Sequence, residues 1–143
     1  MFTIRCSSDP PEAELAATPA GFTRLAEVIA GFAAGVTTET SFAVDPSDPA
    51  TYERCLSGLR VERASGPLSV SVVGRTLVIS GSSRALELLA RNLPREPDLP
   101  PGYHVHIEAA GRESWVSPES VPLVLMVAVA LDASQRAVPK KPE

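Results

Sequence analysis

The sequence predicts an α+β fold, with two helices packed on a largely antiparallel β-sheet. Three patterns lead there. Short segments such as Leu68–Val73 alternate apolar and polar residues with the period of a half-buried strand. Two other segments, opening at Thr18-Pro19 and at Gly81-Ser82-Ser83, repeat apolar residues at helical spacing. Clusters of Pro, Gly, Ser and Asp separate these stretches and punctuate the chain.

Taken in order, Phe2–Cys6 reads as a strand, and Ser7-Ser8-Asp9-Pro10-Pro11 turns it into a second extended stretch, Ala13–Ala17. A hairpin follows from that. Thr18 then supplies an N-cap and Pro19 the first helical residue, with Phe22, Leu25, Ala26, Ile29 and Phe32 on one face and Gly35 as the stop. Thr38–Val44 alternates again, placing Thr38, Thr40, Phe42 and Val44 on one side. After the break at Asp45-Pro46-Ser47-Asp48-Pro49, residues 50–57 read as a short helix carrying Tyr52, Cys55 and Leu56 inward. Leu59–Arg63, Leu68–Val73 and Thr76–Ser80 read as a meander, the last two joined by Gly74-Arg75 in a type II′ turn whose first position needs positive φ. Gly81-Ser82-Ser83 caps a second helix bearing Leu86, Leu89, Ala90 and Leu93, ended by Pro94.

A Pro-rich loop leads to a strand over 102–109, a possible strand at Ser114–Ser117 and a nearly continuous apolar strand, Val121–Leu131, of the kind covered on both faces. Hairpin, helix and strand occur in that order twice, over 2–44 and 68–109, with Leu25, Val28 and Phe32 answering Leu86, Leu89 and Leu93. This is a faint tandem duplication. Residues 1–133 are expected to form a single domain and 134–143 a disordered tail.

Composition narrows the function. The chain has 143 residues, 44% hydrophobic and 21% charged, with a net charge of −4. That balance supports a core and argues against affinity built on neutralising phosphates, so nucleic acid is not an expected partner. Cys6 and Cys55 show no CxxC spacing, the N-terminus lacks a signal-peptide pattern, and the longest apolar run is too short to cross a bilayer. A cytoplasmic protein without membrane contact is expected. Residues 1–50 carry seven acids, among them Glu39, Asp45 and Asp48, against Arg5 and Arg24, a local balance suited to steering a basic partner.

Catalytic signatures are sparse. Neither a phosphate-binding GxxxxGK loop nor a GxGxxG turn occurs. Gly81-Ser82-Ser83-Arg84-Ala85 approaches a nucleophile elbow, but its last position is Ala85 and helix capping accounts for the serines. The one constellation of chemical interest is Tyr103-His104-Val105-His106-Ile107-Glu108. On a strand, His104, His106 and Glu108 project from one face while Tyr103, Val105 and Ile107 fill the other. A solvated face explains the trio most simply, a partner-binding patch is the functional reading, and a metal-binding or metal-assisted catalytic centre is the alternative. No cofactor is expected. Trp115, the only tryptophan, reads as a strand anchor or as an interface residue.

The run Gly102-Tyr103-His104-Val105-His106-Ile107-Glu108, followed by Trp115-Val116-Ser117-Pro118-Glu119-Ser120-Val121-Pro122-Leu123-Val124, resembles the immunity protein 32 family of bacterial polymorphic toxin systems. The shared features are a G-x-H-x-H strand, a loop with an aromatic residue and a P-x-S-x-x-L-V strand, and the resemblance extends over Leu59–Leu131. It implies a non-catalytic protein that binds and neutralises a cognate toxin in the cytoplasm. His104, His106, Glu108 and Trp115 are then the partner-binding candidates.

Overall fold

A computed structural model of the protein describes residues 2–33, 39–45, 52–110 and 114–128. Nine strands and two helices occur among them, in the order β1 (Thr3–Ser8), β2 (Pro11–Ala17), α1 (Pro19–Ala33), β3 (Glu39–Ala43), β4 (Arg54–Leu56), β5 (Gly58–Arg63), β6 (Ser69–Val73), β7 (Thr76–Gly81), α2 (Ser83–Asn92), β8 (His104–Ile107) and β9 (Leu123–Val127). The α+β class and both helices are as expected, but the strands form two mixed sheets. One is ordered β4-β1-β2-β9-β8, the other β3-β5-β7-β6.

Both helices start as their sequences dictate. The Thr18 hydroxyl accepts from Gly21 N–H at 3.1 Å, and the Ser82 hydroxyl accepts from Ala85 N–H at the same distance. Each satisfies an N–H that the first helical turn leaves without an intrahelical partner. Inward, α1 buries Phe22, Leu25, Ala26 and Ile29, and α2 buries Ala85, Leu86 and Leu89, with Leu93 just beyond it. These pack with the inner faces of both sheets in one hydrophobic cluster.

Two copies of a hairpin–helix–strand–strand unit generate this topology by exchange. The hairpin β1–β2 precedes α1, and the hairpin β6–β7 precedes α2. Yet β3 and β5, which follow α1, extend the second hairpin, while β8 and β9, which follow α2, extend the first. The exchanged strand that meets each hairpin runs parallel to its host: β9 against β2 with Ala17 opposite Val127, and β5 against β7 with Gly81 opposite Arg63. The duplication is thus deeper than its sequence match. Its register differs from the one expected, because Phe22, Leu25 and Ile29 are the residues that correspond to Leu86, Leu89 and Leu93.

One further detail ties the units together. Ala17 and Gly21 correspond to Gly81 and Ala85, so each unit keeps one small and one smaller residue where the strand meets the helix. A Cβ on Gly21 would lie 3.1 Å from that of Ala17, and one on Gly81 would lie 3.2 Å from that of Ala85. Room exists for one methyl in each.

Several local expectations are corrected. Residues 54–56 form β4, not a helix, because their backbone bonds to the edge of β1, with Leu56 buried and Cys55 half-buried. No meander joins β5 to β6: β7 lies between them. Gly74, at φ 63°, meets the turn requirement between β6 and β7. Within the expected Ser114–Ser117 strand only Val116 forms a bridge, to Leu68, and the final strand is five residues long. Phe2 forms a matching bridge to Val44, which joins the start of β1 to the end of β3. The side chain of Phe32, the stop at Gly35 and the expected tail at 134–143 lie outside the described residues.

Candidate functional site

β8 is the outermost strand of the five-stranded sheet, and among the described residues it pairs on one side only, with β9. Strand alternation sorts its side chains. Ile107 is buried and Val105 half-buried toward the core, while His104 and His106 stand exposed on the outer face. Their rings meet edge to face, with centroids 5.2 Å apart and planes at 78°. Gly102, at φ 91°, turns the chain into β8, and its carbonyl lies 3.1 Å from His104 Nδ1. A carbonyl only accepts, so Nδ1 is the donor in this contact, and in the neutral ring with that tautomer Nε2 carries the lone pair.

Across the sheet, the register places Arg5, Glu14, Val124 and His106 in one row of the outer face, and Thr3, Ala16, Met126 and His104 in the next. Glu14 is only 4% exposed and pairs with Arg5 at 3.0 Å. Beyond it, the Tyr52 hydroxyl donates to Glu12 Oε2 at 2.7 Å. Burial, reinforced by that carboxylate, raises the Tyr52 pKa far above the usual phenol range and keeps it a donor. Two acids of the N-terminal half are therefore engaged inside the fold. Asp9, Glu27 and Asp45 remain exposed.

The expected site residues do not form one patch. His104 and His106 come together, but Glu108 is exposed one residue past the end of β8. No group of three or more His, Cys, Asp or Glu is placed to hold a metal among the described residues. The His104, His106 and Glu108 trio of the alternative reading is thus not assembled within the chain. Trp115 packs half-buried against the core, and its carbonyl accepts from Leu68 N–H at 2.8 Å beside β6. Ser82 caps α2, as described above, which accounts for the elbow-like turn.

Tyr103 is the residue that sequence reasoning misplaced. Alternation assigned it to the core side, but it precedes β8 and is 44% exposed next to the two histidines. Its position after Gly102, where the strand has not yet begun, is the signal that alternation ignores. A separate cleft of about 510 Å³ lies where the units meet, lined by Cys6 and Ser7 of β1, Ser71 and Val72 of β6, Arg54 and Val121.

A short, open sheet edge bearing aromatic and imidazole side chains is the type of surface through which proteins recognise one another. Residues 76–128 match the family model of immunity protein 32. That segment runs through β7, α2, β8 and β9, so it contains the whole histidine edge and is narrower than the resemblance read from the sequence. No curated protein and no solved structure matches the chain. No helix among the described residues is long and apolar enough to cross a membrane.

Proposed function

We propose that this protein is an immunity protein of a bacterial polymorphic toxin system, binding a cognate toxin in the cytoplasm and neutralising it without catalysis. The observation that carries the reading is the family match over 76–128, which encloses β8. The docking surface is the open edge of β8 and the outer face beside it. Tyr103, His104 and His106 make direct contact, with Glu108 just past the end of the strand, and Trp115, half-buried beside β6, contributes indirectly. An interface of ordinary size asks about 800 Å² of each partner, an area that one sheet edge and its outer face supply. Inhibition follows by steric cover of the toxin's active site or of its substrate's approach. Residues 1–133 form the binding unit and 134–143 a tail.

The test is co-expression with the toxin encoded beside this gene. Cells producing both should grow, and the two proteins should co-purify as a stoichiometric complex. Growth arrest despite soluble immunity protein, with no complex recovered, overturns the reading.

A further inference from the structure

We propose that His104 and His106 form half of a divalent transition-metal site, completed by the same two residues of a second copy paired edge to edge through β8. The ring spacing fits. A ring centre lies about 3.2 Å from a coordinated ion, so two imidazoles on one tetrahedral Zn²⁺ have centroids about 5.2 Å apart. The observed separation is 5.2 Å. Tautomer state fits as well. Ligating histidines donate the remaining ring N–H to a carbonyl or carboxylate, which fixes the ring and presents the other nitrogen's lone pair. His104 meets this condition through Nδ1 and the Gly102 carbonyl.

Two ligands leave a tetrahedral shell half filled, and no third His, Cys, Asp or Glu stands close enough among the described residues. The strand edge supplies the remainder. Val127 N–H donates to the Tyr103 carbonyl, which sets Tyr103, Val105 and Ile107 as the residues whose backbone groups face β9. His104 and His106 therefore direct their N–H and C=O to the open edge. A second copy joined antiparallel through those groups places Val105 on the twofold axis and His104 opposite His106 of the second copy. Directly bonded pairs have Cα atoms about 5.5 Å apart and share a face, so four imidazoles converge on one side of a ten-stranded sheet.

This inference goes beyond the immunity reading: a second copy and a toxin would take the β8 edge in turn and not together, so it is tested on the chain alone. Titrating Zn²⁺ into metal-free protein, followed by calorimetry and light scattering, should give one ion per two chains and a doubled mass, both reversed by EDTA. His104→Ala and His106→Ala should each weaken binding at least about tenfold, by loss of a direct ligand. Glu108→Gln should change neither. Circular dichroism checks that these surface variants remain folded. No binding, one ion per chain without a change in mass, or a dimer that persists in EDTA and in the double alanine variant would each overturn the proposal.

Discussion

The two units of this protein agree inside and disagree outside. Facing the core, most large residues match: Phe2 with Leu68, Ile4 with Val70, Leu15 with Ile79, Leu125 with Val61, Ile107 with Phe42, and the three large residues of each helix. On the outer faces the correspondence fails. The row Arg5, Glu14, Val124 and His106 answers Ser71, Val78, Arg60 and Ser41, so an ion pair and an imidazole stand where the second sheet has two serines and a valine. Packing demands only volume and apolarity, which many side chains meet, so the shared frame survives inside. The outer surface is under no such demand, and what distinguishes the two sheets there is what recognition can use.

The largest expected effect tests the inner agreement. Leu25→Ala and Leu89→Ala occupy corresponding places, and both leucines are fully buried. Each should cost about 2–5 kcal/mol in urea unfolding, the usual cost of lost transfer energy plus a cavity. A near-zero cost for one of them would break the equivalence. Next comes the outer disagreement. Glu14→Gln removes the buried charge that pairs with Arg5 and should cost about 1–3 kcal/mol, below the full buried-pair value because Arg5 keeps partial solvent access. Glu14→Val combined with Arg5→Ser installs the other sheet's chemistry and should recover most of that loss. Smallest are the caps, where Thr18→Ala and Ser82→Ala should each lower stability by about 1 kcal/mol.

What the sequence discloses is what local physics controls. Thr18-Pro19 and Ser82 announce helix starts because the capping partner is three residues away, and Gly74 announces its turn because only its own φ matters. Alternation correctly exposes His104 and His106. The pairing of β5 with β7, and of β9 with β2, escapes such reading because parallel neighbours need a partner delivered by a long crossover. β4 is misread for a related reason: residues 54–56 owe their extended form to an edge of β1 some fifty residues away. Tyr103 escapes because period-two alternation holds only inside a strand.

The central claim is that the β8 side of the molecule, and not its counterpart on β3, meets the toxin. Affinity for the purified cognate toxin decides it most directly. Tyr103→Ala with His106→Ala should weaken the complex by at least about tenfold, the scale of central aromatic anchors, while Ser41→Ala on β3 leaves it unchanged. Full affinity in the first variant, or its loss in the second, would contradict the account.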